Sequence, residues 1–131
     1  MRILEIEAEN FKLFNTKFEV KKDLNKADLI LLNGPNGYGK TSVFDILEFC
    51  LTGEIGRINQ YTQELEISRN EIGENKILIG DETKSTYIKV ILEDAGKKIE
   101  IKYNCPPQNK EKKASKENNP HNIFQCFNRY I

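Results

Sequence analysis

The 131-residue sequence has one histidine, three cysteines and no net charge, with 20 basic side chains against 20 acidic ones. Each shortage excludes something. With His121 alone, no multi-histidine metal site is available. Cys50, Cys105 and Cys126 are odd in number and widely spaced, with no C-x-x-C pair, which argues for a reducing, cytoplasmic setting. Cys50 sits in an apolar helical pattern, where a buried thiol is ordinary. The charge balance provides no global pull toward nucleic acid, so any DNA contact has to come from a local patch. No apolar run approaches membrane-spanning length, and the N-terminus carries Glu5, Glu7 and Glu9 in place of a signal-peptide core. No membrane partner is expected.

What the chain does have is a complete phosphate-loop motif, Gly34-Pro35-Asn36-Gly37-Tyr38-Gly39-Lys40-Thr41, matching G-x-x-x-x-G-K-[ST]. The apolar run Leu29-Ile30-Leu31-Leu32 before it reads as a buried strand. The segment Ser42-Val43-Phe44-Asp45-Ile46-Leu47-Glu48-Phe49-Cys50-Leu51 after it reads as a helix. Strand, glycine loop and helix form the context this motif requires. The chemistry explains the residue types. Backbone N–H groups and the positive end of the helix replace the hydration of a polyphosphate, and glycines permit the close approach. Lys40 is the point charge for the outer phosphates. The Thr41 hydroxyl is the expected Mg2+ ligand. A glycine-rich turn that binds nothing is the plainer alternative, and the intact motif with both flanks weighs against it.

The length fits one domain. Residues 2–8 alternate, with Leu4, Ile6 and Ala8 on one face and Glu5 and Glu7 on the other, as a half-buried strand does. Thr16, Phe18 and Val20 alternate with Lys17 and Glu19 in a second strand over 16–20. Phe11, Leu13 and Phe14 connect them. The run at 28–32 is apolar on both faces, as in the centre of a covered sheet. The helix after the loop is apolar nearly all round and ends near Thr52-Gly53, where glycine suits a C-terminal cap. Residues 60–71 have weak helical periodicity. Alternation over 87–93 and 98–103, around Asp94-Ala95-Gly96, reads as an antiparallel hairpin. Residues 104–120 form a polar stretch with four lysines and two glutamates, a local charge of +2, expected as a loop or linker. Ile123, Phe124, Phe127, Tyr130 and Ile131 fall on one helical stripe, so 121–131 is expected as a helix. The expected boundaries are 1–103 for the nucleotide-binding lobe, 104–120 for the linker and 121–131 for the helix.

Four further patterns are weaker. Asn25-Lys26-Ala27-Asp28 spells the guanine-reading N-K-x-D, but it runs straight into the strand that feeds the loop and cannot also serve a base pocket. Val90-Ile91-Leu92-Glu93-Asp94 resembles a Walker B strand, but a hairpin turn follows it at once. Cys105, His121 and Cys126 fit no common zinc spacing. The lysines at 110, 112, 113 and 116 fit a solvated linker better than a DNA-phosphate contact.

The loop sequence Gly-Pro-Asn-Gly-Tyr-Gly-Lys-Thr, the preceding strand pair joined by Glu9-Asn10-Phe11-Lys12-Leu13-Phe14, and the following Leu51-Thr52-Gly53-Glu54 together resemble the N-terminal ATPase segment of the SMC, RecF and SbcC group of ABC-type ATPases. Relatives of that group act in DNA repair and phage defence. The likeness is specific over 1–54 and looser over 87–103. It implies an α/β fold: a P-loop NTPase half-domain, the N-lobe of an ABC-type head, with an antiparallel β-lobe beside the P-loop strand and helix. It implies ATP and Mg2+ as cofactors. Asn36, Gly37, Tyr38, Gly39, Lys40, Thr41 and Ser42 would form the nucleotide site. Lys12 would stand near the phosphates, where many relatives have arginine, and Gln125 would be a Q-loop metal ligand. The resemblance also implies a C-terminal ATPase lobe, from the same or a second chain, carrying the signature motif, Walker B acid and switch histidine. Two completed heads would dimerise around ATP and control a grip on DNA. No signature motif, Walker B acid or switch histidine is found in this sequence, so hydrolysis is expected only on completion. The competing reading is a self-contained small nucleotide or metabolite kinase, which needs its own acidic Mg2+ ligand and a lid with arginines. Arg2, Arg57, Arg69 and Arg129 do not cluster in sequence. A non-catalytic interaction domain with a relic loop is a third reading, weakened by the intact Lys40 and Thr41.

Overall fold

The computed structural model describes residues 1–21, 28–58, 78–107 and 127–130. Alternating polar and apolar residues build one antiparallel sheet from strands β1 (Arg2–Glu9), β2 (Phe18–Val20), β3 (Thr86–Asp94), β4 (Lys97–Cys105) and β5 (Asn128–Tyr130), in the spatial order β2-β1-β3-β4-β5. Helix α1 (Lys40–Thr52) lies across β3, β4 and β1. Register follows the period of two. Ile6 faces Val90 and Ala8 faces Ile88, while Val90 and Ile88 in turn face Ile101 and Tyr103. These side chains share one sheet face, and α1 covers it with Val43, Ile46, Phe49 and Cys50. Phe49 anchors the contact, stacking on Tyr103 at 4.5 Å between ring centroids and meeting Phe127 edge-on at 5.1 Å.

The other face of the sheet is a charge lattice. Glu5 and Glu7 are buried there beneath Lys89, whose Nζ lies 2.9 Å from Glu5 Oε1 and 2.7 Å from Glu7 Oε2. Lys17 reaches Glu7 at 3.0 Å, and Lys21 reaches Glu19 at 2.8 Å. Tyr87 donates its hydroxyl to Glu7. Burial works against the Glu7 carboxylate, but the hydrogen bonds from Lys89, Tyr87 and Lys17 outweigh it and hold the pKa at about 2. The same sharing raises Lys89 above its ordinary value, against the effect of its burial.

The hairpin expected around Asp94-Ala95-Gly96 is present, with Asp94 opposite Lys97 across a two-residue loop. Both loop residues have positive φ, 49° at Ala95 and 78° at Gly96, the backbone that twists correctly into two antiparallel strands. The same hairpin disposes of the Walker B resemblance, because β3 pairs antiparallel with both neighbours and Asp94 enters the turn. The glycine cap also holds. Gly53 has φ 84° and donates its N–H to the Phe49 carbonyl at 2.8 Å.

Three expectations are corrected. The run at 28–32 is not a strand, and α1 packs on the antiparallel lobe rather than on a P-loop strand. A run apolar on both faces needs strand neighbours on both edges, and the strands of this sheet pair with one another instead. Residues 128–130, expected within a helix, form strand β5 beside β4, with Arg129 opposite Tyr103 and Tyr130 opposite Lys102. Burial of Phe127 against Phe49 and the hydrogen bonds of an open sheet edge outweigh a five-residue helical stripe. The linker reading of 104–120 fails at its start, since Asn104 and Cys105 belong to β4. Its remainder from 108, the weak helical pattern at 60–71, residues 25–27, and His121 and Cys126 lie outside the described residues.

Candidate phosphate-binding site

The loop between residue 33 and α1 is built by two glycines in conformations other residues adopt at a cost. Gly37 has φ 86° and Gly39, the N-cap of α1, has φ 93°. Gly39 also lacks room for a side chain, since a Cβ there would sit 3.1 Å from the Phe14 ring. Phe14 stacks on Phe18 at 4.3 Å, so the β1–β2 connection braces the base of the loop. Gly34 and Gly37 instead have nothing within 4 Å of a built Cβ, leaving the inner side of the loop open to a ligand. The Gly39 carbonyl accepts from Val43 N at 3.1 Å as α1 begins, and no side chain caps that terminus. The first N–H groups of the helix are therefore available to an anion.

Lys40 folds back over this cradle. Its ammonium donates to the Gly34 carbonyl and to the Pro35 carbonyl, the latter at 2.9 Å. Carbonyl oxygens hold the charge where phosphate oxygens would compete for it. Asn36, Tyr38 and Thr41 are exposed on the loop and first turn, whereas Ser42 is buried beneath them. Open glycines, a bare helix terminus and a lysine folded over the loop form a donor set that fits a polyphosphate, with the Thr41 hydroxyl free to meet a Mg2+ ion. Among the described residues no group of acidic, histidine or cysteine side chains is arranged to hold a metal by itself. A cavity of about 510 Å3 elsewhere on the lobe is lined by Asn15, Thr16, Lys17, Thr83 and Lys84, with no loop residue in its wall.

Lys12, expected near the phosphates, is ion-paired on α1 in this structure. It pairs with Asp45, whose side chain is 4% exposed on α1. Arg57 donates to both oxygens of the same carboxylate, at 3.0 and 2.8 Å. Arg57, isolated in sequence, thus joins a cluster, and Asp45 was hidden among apolar helix residues. The available signal was spacing: Asp45 follows Thr41 by four residues and so shares its helix face. Asn10 was also missed. Buried, with φ 56°, it accepts from Asp81 N at 2.7 Å and donates to the Asp81 carbonyl at 2.7 Å and the Thr86 hydroxyl at 3.0 Å. It pins the segment before β3 to the turn that carries Lys12, where Phe11 also pairs with Ile79. Gln125 lies outside the described residues.

The sequence model of the family described as AAA domain matches residues 5–125. The chain belongs to that family of P-loop ATPases, and is an ATP-binding module of ATPase type. A comparison with curated proteins finds no match. Among the described residues, no helix is long and apolar enough to cross a membrane.

Proposed function

We propose that this chain is the N-terminal ATP-binding lobe of an SMC-, RecF- or SbcC-like ATPase, completed by a C-terminal lobe from the same or a second chain. The observation that carries this reading is the apolar run at the entrance to the loop. Leu29 is 76% exposed and Leu31 82%, and on the adjoining helix Phe44 is 61% exposed. A leucine-isoleucine run exposed on both faces, beside a complete phosphate loop, fits a segment that becomes a strand once neighbours cover both edges. The completing lobe supplies those neighbours and, with them, a Walker B acid. Two completed heads then close around two Mg-ATP, and nucleotide state sets the grip on DNA in repair or phage defence. The antiparallel lobe beside the loop supports this architecture over a kinase, which calls for a compact parallel sheet and a lid. The proposed contacts to nucleotide come from the 36–42 segment: its backbone N–H groups, the Lys40 ammonium and, toward Mg2+, the Thr41 hydroxyl. Gln125 remains the proposed Q-loop residue, and the cytoplasm the proposed compartment.

Calorimetry with Mg-ATP and steady-state ATPase measurements test the proposal. Lys40→Ala removes a charge-assisted contact worth roughly 1.5–3 kcal/mol, or about ten- to a hundredfold in affinity. The chain alone binds Mg-ATP but turns it over negligibly, because phosphoryl transfer also needs an oriented water and charge at the γ-phosphate. Adding a C-terminal lobe with Walker B and signature motifs restores turnover and yields ATP-dependent dimers. Turnover by the 131-residue chain alone, abolished by Lys40→Ala, points instead to a self-contained enzyme.

A further inference from the structure

We propose that Asp45 and Arg57 form a release device for Lys12. Asp45 holds the Lys12 ammonium beside the Thr41 face of α1, and Arg57 takes over the Asp45 charge when Lys12 turns to a nucleotide phosphate. The inference rests on the reading of the loop as a Mg-ATP site and adds to it the control of one cation. Its basis is an asymmetry. Lys12 bonds Asp45 through Oδ2 alone, whereas Arg57 donates to Oδ1 and Oδ2 together. A carboxylate this buried is costly without a partner. If Lys12 departs, both oxygens keep a donor. If Arg57 is lost, Lys12 becomes the whole compensation and is trapped.

Position makes the exchange reachable. Asp45 lies one helical turn past Thr41 on the same side of α1, and its carboxylate meets Lys12 there. The turn that carries Lys12 is seated against the start of α1 through Phe14 and Gly39. Lys12 itself has φ 53°, a left-handed conformation that a lysine does not favour, and its N–H is fixed to the Leu78 carbonyl at 2.8 Å. The backbone is therefore held, and the four-carbon stem, 16% exposed against Asp45, is the part that turns in the proposed exchange. Among the described residues, two cations meet one carboxylate in this cluster. Asp45 and Arg57 are positioning residues: they touch Lys12 and each other, and act on nucleotide through it.

The test is Mg-ATP calorimetry on wild type, Lys12→Met, Arg57→Gln, Arg57→Gln with Asp45→Asn, and Arg57→Gln with Lys12→Met. Lys12→Met weakens binding by about tenfold. Arg57→Gln weakens it by about three- to tenfold, because Asp45 keeps the lysine. Adding Asp45→Asn frees Lys12 and restores affinity to within about twofold of wild type. In the Lys12→Met background, Arg57→Gln costs nothing further. A merely structural Arg57 predicts the reverse: a loss that Asp45→Asn deepens and that persists without Lys12. Either result overturns the proposal. Lysine acylation read by mass spectrometry gives a measure independent of nucleotide: Lys12 labelling falls in Arg57→Gln and rises when Asp45→Asn is added. Unchanged labelling across the series also overturns it. If wild type and Lys40→Ala bind Mg-ATP equally, the reading of the loop itself fails, and this inference with it. If Lys40 matters and Lys12 does not, only the release device is refuted.

Discussion

Replacing Glu7 with Gln should turn the charge lattice on the outer sheet face into a pH-dependent loss of stability. Glu7 is buried, and Lys89 at 2.7 Å, Lys17 at 3.0 Å and the Tyr87 hydroxyl all address its carboxylate. Its pKa falls from an ordinary 4.5 to about 2 despite the opposing effect of burial. A drop of this size, at about 1.4 kcal/mol per unit, is worth roughly 3 kcal/mol. Half-exposed Lys17 is partly screened by solvent, which brings the figure nearer to about 2 kcal/mol. Because the folded pKa is depressed, the contribution is complete above pH 4.5 and is lost as pH falls through about 2. Urea titrations of wild type and Glu7→Gln at pH 7, 4, 3 and 2 measure it. For a small domain with a slope of about 1–1.5 kcal/mol/M, the midpoints should differ by roughly 1.3–2 M at pH 7. They should converge toward pH 2. A gap that stays constant from pH 7 to pH 2 would refute the charge argument and leave only lost packing. A gap below about 0.5 kcal/mol at pH 7 would show that the lattice rearranges around the missing charge.

Asn10→Ala removes the side chain that joins the Lys12 turn to Asp81 and Thr86 and places alanine at φ 56°, so unfolding free energy should fall by about 2–4 kcal/mol; a loss below about 1 kcal/mol in chemical denaturation would contradict the role given to it. Ala95→Asn or Ala95→Gly relieves the positive φ at the hairpin loop and should raise the melting temperature through a gain of about 0.5–1 kcal/mol, whereas no gain in either variant would mean that the turn type is misassigned. Leu29→Lys with Leu31→Lys touches no packed core and should leave stability within about 0.5 kcal/mol. The same pair should abolish co-purification with a completing C-terminal lobe, and retention of that complex would remove the exposed run from the proposed interface.

What the sequence made legible was what local rules decide. Alternation located β1, the β3–β4 hairpin and, within two residues, the start of β2. Motif and glycine cap located both ends of α1. Each of these depends on residues close in the chain, whose period or φ preference is visible without the rest of the fold. Asn10, Asp45 and Arg57 depend on something else. Asn10 meets partners 71 to 76 residues away, so its role exists only once β1 and β3 are paired. Asp45 looked like an isolated acid in an apolar helix because its cations arrive from the turn before β2 and from beyond the helix cap.

The run at 28–32 shows why a strand propensity and a strand are different claims. β-branched and aliphatic residues make an extended backbone cheap, but each N–H and C=O still needs a partner. A half-buried alternating strand such as β1 finds partners in its own lobe, and its polar face tolerates water. A run apolar on both sides gains little until neighbours cover both faces and both edges. Leu29 and Leu31 therefore stay exposed beside a fully formed antiparallel lobe. The phosphate loop hangs between this run and α1, so among the described residues its first half is held by the lysine folded across it, while its second half is fixed by Gly39, Phe14 and the helix. Pairing of 28–32 with added strands would tether the first half as firmly as the second. Completion by a second lobe would thus couple assembly to nucleotide affinity through the backbone of the loop itself, before any residue from the added lobe reaches the phosphates.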